Sequence, residues 1–228
     1  MPKGTVGILG GLGPLAGAHF YRRLIERTTA EDDSEHLPII LVSDNTVPSR
    51  VDNLLGYGPS PVPRLIHLAS LLESAGASLI VVPSSTTHAY YQEIQEALDV
   101  PVLNLLSEMS EVIIRKGYRR PAILATAATV VLDLYRSYLI PQAEPVYPDA
   151  QTQAEVQALV ITLKGGGDPS QLSDRLSELA SRPWSKGADC MVLACTELCL
   201  FDPQDLKLPV LSATDALADA VLRLAVKQ

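Results

Sequence analysis

Two segments of this chain place a chemically reactive side chain at the same distance from a Gly-Ala pair. Ser84 follows Gly76 by eight positions and Cys195 follows Gly187 by eight positions, each after an apolar run. A thiol can exchange a proton near neutral pH, whereas a hydroxyl is a far poorer base. A carbon held between two such groups could lose a proton on one face and regain one on the other.

The similarity between the two segments continues along the chain. The sequence Val-Pro-Val-Leu at residues 100–103 matches Leu-Pro-Val-Leu at residues 208–211, and each half opens with an apolar strand. We therefore expect two similar α/β units, residues 1–104 with 212–228 and residues 105–211. A pseudo-two-fold axis relating them would bring Ser84 and Cys195 to opposite sides of one cleft.

Short apolar runs alternate with amphipathic stretches, which predicts an α/β fold with right-handed crossovers. The runs are continuous, as expected for parallel sheets covered on both faces. The predicted strands are Thr5–Leu9, Ile39–Val42, Leu79–Val82, Val102–Leu105, Pro121–Ala125 and Met191–Ala194. The predicted helices are Gly13–Arg27, Arg64–Ala75, Thr87–Leu98, Asn104–Lys116, Val130–Leu139, Thr152–Lys164, Ser170–Arg182 and Asp215–Lys227.

Polar or glycine-rich turns follow four of the predicted strands. Ligands of open parallel sheets bind beyond the carboxyl ends of the strands, so these turns are candidate binding segments. They are Gly10–Pro14, Ser43–Arg50, Ser84–His88 and Cys195–Glu197.

Composition excludes several classes of protein. A net charge of −8 argues against a general nucleic-acid binder, which needs a basic surface, but a local pocket can still bind a small anion. The sequence predicts no membrane span, because no apolar run reaches the roughly 18 residues required. The first residues do not resemble a signal peptide, so we expect a cytoplasmic protein. Cys190, Cys195 and Cys199 fit neither a disulfide framework nor a zinc site.

Several motifs in this order resemble the aspartate/glutamate racemase family along nearly the whole chain. Residues 7–16 look like its glycine-rich start, and Asn45, Pro48 and Arg50 look like its Asn-Pro-Arg segment. Residues 83–88 are similar to its Pro-Cys-Asn-Thr-x-His motif, and residues 194–198 to its Gly/Ala-Cys-Thr-Glu-Leu motif. Lys164, just before Gly165, matches a lysine of the aspartate racemase branch.

The resemblance implies a racemase of acidic amino acids that uses neither metal nor pyridoxal phosphate and is commonly a homodimer. Cys195 and Ser84 would flank the substrate Cα, while Arg50 and Lys164 would hold carboxylates. Further binding groups would come from Gly11, Asn45, Ser85, Thr86, Thr126, Thr196 and Glu197.

One departure from the family pattern affects the chemistry. The family has cysteine where Ser84 stands and asparagine where Ser85 stands. By analogy with members that carry a hydroxyl at this position, Cys195 would deprotonate the L-enantiomer and Ser84 would deliver a proton to the other face. The reverse direction would be slow.

Each candidate residue also has a purely structural interpretation. Residues 84–87 are rich in helix N-cap types, and a lysine such as Lys164 is favoured at a helix C-terminus. We predict Arg50 in the loop after a strand, where arginines are usually solvated. His88 and Glu197 could orient or deprotonate their neighbours, or could serve as capping or surface residues.

Three alternative functions remain open at this point. The chain could be a single-cysteine decarboxylase or isomerase of the same superfamily, or a degenerate paralogue that only binds amino acids. Residues 11–16 also fit a relaxed dinucleotide-binding fingerprint. That fingerprint expects an acidic residue about 20 positions on, however, and Asp44 lies 33 residues after Gly11.

Overall fold

The computed structural model describes residues 4–202, 204 and 206–226, and the chain forms two compact units. Unit 1 holds the chain up to Leu105 together with the chain from Thr214 onward, and unit 2 holds Leu106–Ala213. The strands are β1 Val6–Gly10, β2 Ile39–Ser43, β3 Leu79–Val81, β4 Val102–Leu103, β5 Pro121–Leu124, β6 Cys190–Leu193 and β7 Val210–Ser212.

The α-helices alternate with these strands, and short 3-10 helices supplement them. The helices are α1 Pro14–Arg27, α2 Arg50–Leu54, α3 Val62–Ser74, α4 Tyr91–Glu96, α5 Leu105–Arg115, α6 Ala127–Val131, α7 Arg136–Leu139, α8 Ala150–Lys164, α9 Pro169–Ala180 and α10 Ala213–Val226. The 3-10 helices are Asp33–Glu35, Thr86–Tyr90, Pro183–Ser185 and Leu198–Leu200. In the described part of the chain, every helix is too short or too polar to cross a bilayer.

Unit 1 contains a four-stranded parallel sheet in the order β2-β1-β3-β4. Val6 of β1 pairs with Ile39 of β2 on one side and with Leu79 of β3 on the other. The burial of β1 and β3 explains their uninterrupted apolar sequences, because helices cover both faces of the sheet. Since all strands run the same way, their carboxyl ends lie along one edge.

Unit 2 contains a three-stranded parallel sheet in the order β5-β6-β7. Val146 adds an isolated parallel bridge to Ala122 on the outer side of β5. This bridge occupies the position beside β5 that β2 occupies beside β1. The repeat in the sequence therefore corresponds to the same strand order in both units, and the fourth strand of unit 2 is reduced to one bridge.

The predicted α/β class with two parallel sheets is confirmed. All six predicted strands are present, with ends that differ by at most two residues. β7 was missed although residues 208–211 repeat residues 100–103, and residues 130–139 form two short helices instead of one. That helix is interrupted at Asp133, whose φ of 49° leaves the right-handed helical region. The predicted helix at residues 87–98 likewise divides into a 3-10 helix and α4.

Candidate functional site

Cys195 lies just beyond the carboxyl end of β6 and is buried. Its Sγ donates a hydrogen bond to Oε2 of Glu197 at 3.0 Å. The hydroxyl of Thr196 donates to the same oxygen at 3.4 Å. Glu197 is buried as well, so the thiol and the carboxyl group form a close pair shielded from bulk water.

Lys164, the last residue of α8, lies close to the carboxyl group of Glu197 and adds a cation to this pair. Asp149 caps the start of that helix by accepting the N–H of Thr152 at 2.9 Å, and Gly165 ends it directly after the lysine. The length of α8 brings Nζ of Lys164 to 3.9 Å from Oε1 of Glu197. Because the lysine side chain is about one-third exposed, its ammonium group connects the buried pair to the surface.

The surroundings of Cys195 oppose ionisation of its thiol. Burial raises the pKa of Cys195 well above its usual value, and the Glu197 carboxylate raises it further, while Lys164 acts in the opposite direction. A protonated thiol can accept the proton of a substrate only if its own proton has somewhere to go. The hydrogen-bonded Oε2 of Glu197 is such an acceptor.

The other two cysteines make different contacts. Cys199 donates its thiol to the carbonyl of Leu193 at 3.2 Å. Cys190 lies inside β6, where burial and the neighbouring Asp189 raise its pKa to about 12. Both are buried and neither is in a disulfide, so they pack as small apolar residues.

Thr126 lies at the carboxyl end of β5, next to the strand that leads to Cys195. Leu124 of β5 pairs with Leu193 of β6, so Thr126 and Cys195 each lie two residues beyond this pair. Thr126 caps α6, and its hydroxyl lies 3.1 Å from that of Thr129.

Two glutamines of α8 hold the turn that contains Thr126. Gln153 donates its amide to the carbonyl of Ala125 at 3.0 Å, and Gln157 accepts the N–H of Ala127 at 2.8 Å. Neither glutamine was among the predicted site residues. Their spacing of four positions on one face of a predicted helix was the available signal.

Ser84 occupies the corresponding position after β3 in unit 1 and is buried. Its Oγ accepts a hydrogen bond from the hydroxyl of Thr87 at 2.8 Å. Ser85 and Thr86 are buried beside it, and Thr86 begins the 3-10 helix.

His88 holds the backbone at Ser84 and does not contact the serine hydroxyl. Its Nδ1 lies 2.9 Å from the carbonyl oxygen of Ser84, and its Nε2 accepts the N–H of Leu105 at 3.0 Å. The neutral ring protonated at Nδ1 satisfies both bonds, and Nε2 also lies 3.3 Å from the carbonyl oxygen of Leu103. Burial lowers the pKa of His88, which favours this neutral form. Because its nitrogens contact backbone groups, His88 is not placed to deprotonate Ser84.

Arg50 is the first residue of α2, which corrects the prediction that it lies in a loop. Ser49 makes the helix start possible by accepting the N–H of Asp52 at 3.2 Å. The guanidinium of Arg50 donates to the carbonyl of Leu12, and also to that of Pro48 at 3.3 Å. Arg50 therefore ties the turn after β2 to the turn after β1.

Gly11 lies in the turn after β1, against the turn after β2. Its φ is +82°, and a Cβ at this position would lie 2.2 Å from the backbone nitrogen of Asp44. Only glycine permits this approach. Asn45, the next residue, lies exposed in the turn after β2.

The predicted site residues thus form two groups, each at the carboxyl edge of one sheet. Unit 1 carries Gly11, Arg50 and residues 84–86 around the ends of β1, β2 and β3, with α2 packed on the 3-10 helix. Unit 2 carries Thr126, Lys164 and residues 195–197 around the ends of β5 and β6. Within the described residues, no three His, Cys, Asp or Glu side chains are grouped to bind a metal ion.

Comparisons with known proteins agree with this architecture. The model of the Asp/Glu/hydantoin racemase family matches residues 9–221. A broad specificity amino-acid racemase of Bacillus subtilis is 26% identical over 95% of this chain and 96% of its own length. A glutamate racemase of Streptococcus sanguinis is 27% identical over 64% of this chain and 57% of its own length.

Solved structures give the same result. The aspartate racemase of Picrophilus torridus superposes with a TM-score of 0.84 and 28% identity, covering 98% of this chain and 94% of that one. An aspartate racemase homologue from Pyrococcus horikoshii has a TM-score of 0.78 and 25% identity, covering 99% and 100%. The chain belongs to the Asp/Glu/hydantoin racemase family and is an amino-acid racemase.

Proposed function

We propose that this racemase acts on acidic amino acids, aspartate or glutamate, without metal or pyridoxal phosphate. The observation that carries the proposal is a chain of side-chain contacts. The thiol of Cys195, a proton-transfer group, contacts Glu197, and Glu197 contacts the ammonium group of Lys164. The resemblance of the chain to aspartate and glutamate racemases supports the acidic class.

The first step removes the α-proton of the L-enantiomer. Sγ of Cys195 takes the proton from Cα while the thiol proton passes to Oε2 of Glu197 along the 3.0 Å hydrogen bond. This coupling avoids a free thiolate, which the buried site disfavours. Lys164 balances the charge of the Glu197 carboxylate before the transfer.

The second step returns a proton to the opposite face of Cα. Ser84 supplies it from its hydroxyl, which explains how the enzyme could act with one thiol instead of two. A hydroxyl is a poor base, so abstraction from the D-enantiomer is slower than abstraction from the L-enantiomer. The enzyme therefore favours the L-substrate.

The carbanion between the two steps requires stabilisation at its carboxylate. Arg50 and Lys164 supply cations for this carboxylate. The guanidinium group of an arginine can bind a carboxylate with two parallel hydrogen bonds. Hydroxyls and backbone amides complete the binding groups, and losing one such donor typically costs about 3 kcal/mol in the transition state. These groups belong to Gly11, Asn45, Ser85, Thr86, Thr126 and Thr196.

A broader substrate range is the main alternative. The similar racemase of Bacillus subtilis carries the description broad specificity and aligns over nearly the whole chain. Aspartate and glutamate differ by one methylene, which a fitted pocket distinguishes by only about 1–3 kcal/mol. The activity of the enzyme on non-acidic amino acids decides between these two proposals.

The proposal is tested by chiral product analysis over a panel of L- and D-amino acids in heavy water. We expect inversion of aspartate or glutamate, deuterium exchange at Cα that is faster for the L-enantiomer than for the D-enantiomer, and faster exchange of the D-enantiomer in Ser84→Cys. Inversion of mainly neutral or basic amino acids would overturn the acidic class. Binding without exchange would indicate a degenerate paralogue, and carbon dioxide release from substituted malonates a decarboxylase.

A further inference from the structure

The hydroxyl of Ser84 is paired with a second hydroxyl. Thr87 donates from Oγ1 to Ser84 Oγ at 2.8 Å, and only 1% of Thr87 is exposed, so water cannot readily replace this donor. Both positions can be compared with the family motif that residues 83–88 resemble. Position 84 carries serine where the motif has cysteine, and position 87 is the motif's variable residue.

The hydrogen bonds around Ser84 determine where its proton can point. A serine hydroxyl has one proton and two lone pairs, and Thr87 occupies one lone pair. The backbone N–H of Thr87 and the ring of His88 contact the carbonyl of Ser84 and leave its hydroxyl alone. The Ser84 proton therefore remains available to a further acceptor.

We propose that Thr87 is a positioning residue that enables Ser84 to act as a proton donor in place of a thiol. The inference rests on the proposed function, in which Ser84 protonates the carbanion. The C–H bond forms at Cα as the O–H bond of Ser84 breaks, and the electron pair of that bond stays on Oγ. Water later returns a proton to Oγ and accepts one from the Cys195–Glu197 pair.

The hydrogen bond from Thr87 to Ser84 becomes stronger during this step. Its hydrogen bond reaches a neutral oxygen before the transfer and a negative oxygen after it, and charge-assisted bonds are roughly twice as strong. Thr87 thus stabilises the product of the transfer more than the starting state, which is the requirement for catalysis. A thiol at position 84 would gain little, because sulfur is a weak acceptor and a thiolate forms more readily.

The test follows the fate of the carbanion made from L-aspartate and L-glutamate in heavy water. Return from the Cys195 side gives the deuterated L-amino acid once the thiol has exchanged its proton with heavy water, and protonation by Ser84 gives the deuterated D-amino acid. We expect Thr87→Val to lower the ratio of inversion to return by about ten- to a hundredfold, the effect of losing one hydrogen bond to a charged group. Thr87→Ser keeps the hydroxyl and should retain most of the ratio.

Two controls separate this role from a structural one. Thr162→Val removes an exposed threonine hydroxyl on α8 and should leave the ratio unchanged. In the Ser84→Cys background, Thr87→Val should change the ratio far less than in the wild type. A uniform loss of return and inversion in Thr87→Val, or equal effects in both backgrounds, would overturn the role of Thr87.

The same data distinguish the two proposals from each other. Wild type that incorporates no deuterium at Cα of either substrate overturns the proposed function, and the role of Thr87 with it. Wild type that inverts its substrate, with a Thr87→Val variant of unchanged ratio, overturns the role of Thr87 alone.

Discussion

Sγ of Cys195 lies 3.0 Å from Oε2 of Glu197, and each of the two residues is only 4% exposed. Two acidic groups in such close contact share one proton more readily than they release it to solvent. The pair can therefore pass a proton directly between sulfur and oxygen along this contact.

Replacing Cys195 should abolish both deuterium exchange and inversion. Cys195→Ala removes the atom that takes the α-proton, and general acid–base groups contribute about 10²–10⁴-fold to rates. Chiral chromatography and mass spectrometry of the product measure both activities. Cys190→Ala removes a buried thiol from β6, the strand that precedes Cys195, and serves as the control. Equal activity of Cys195→Ala and wild type would contradict the assignment.

Removing the charge of Glu197 should change thiol ionisation and turnover in opposite directions. In Glu197→Gln the pKa of Cys195 should fall, because the carboxylate that raises it is gone. Turnover should nevertheless fall by about a hundredfold, since the thiol proton has lost its acceptor. Ultraviolet absorbance of the thiolate against pH gives the first quantity, in a Cys190→Ala background, and initial rates give the second. A pKa that rises would contradict the arrangement.

Replacing Lys164 should shift the pKa of Cys195 in the direction opposite to that caused by replacing Glu197. Lys164→Met removes the charge that lowers the pKa of Cys195, so this pKa should rise further. The KM for an acidic substrate should also rise by about tenfold, as expected for a lost hydrogen bond to a carboxylate. Lys186→Met, on an exposed lysine, is the matched control. An unchanged KM would remove Lys164 from the proposed binding groups.

His88 should contribute to the acid sensitivity of folding. Burial lowers its pKa below the ordinary value of 6.5, so below that pH the unfolded chain binds a proton that the folded chain does not. Stability contributed by neutral His88 is therefore lost as pH falls below 6.5. His88→Asn should lose about 1 kcal/mol at pH 8 with the bond to Leu105, and should lose less on acidification.

Urea denaturation at several pH values measures this effect. The expected result is a smaller decrease in unfolding free energy between pH 7 and pH 5 in His88→Asn than in wild type. His67→Asn, on an exposed side chain, is the histidine control. Parallel curves for His88→Asn and wild type would contradict the prediction.

Two glycines with similar backbone angles should respond differently to alanine. Gly56→Ala (φ +86°) meets nothing within 4 Å and should cost about 1–2 kcal/mol from backbone strain alone. Gly11→Ala (φ +82°) would place Cβ 2.2 Å from the backbone of Asp44, and should cost about 4 kcal/mol or more. Chemical denaturation of both variants measures the difference, and equal losses would contradict the close approach.

The sheets and the location of the candidate residues were predictable from local sequence. Continuous apolar runs such as residues 79–82 and 191–194 predict buried parallel strands, and the polar residues after them fall at the strand ends. Ser84 and Cys195 follow β3 and β6 for this reason. The repeat of residues 100–103 at residues 208–211 indicated β7 as well, whereas no local signal marked the interruption at Asp133.

The contacts between side chains were beyond prediction from the sequence. Lys164 and Glu197 are 33 residues apart, and only the length and direction of α8 bring them together. The role of His88 depends on the N–H of Leu105, a partner 17 residues further along the chain. Sequence spacing indicates which residues share an element, but not which atoms meet across elements.

Helix α10 belongs to unit 1, where Asp215 binds Arg23 at 2.7 Å and Asp219 binds Arg27 at 2.6 Å. On the ribosome, unit 1 therefore emerges first but cannot be completed until residues 213–226 have been made. Unit 2 is one continuous stretch and can close earlier, although domains usually mature in the order of synthesis. A fragment ending near Leu105 would leave Arg23 and Arg27 of α1 without their carboxylate partners on α10.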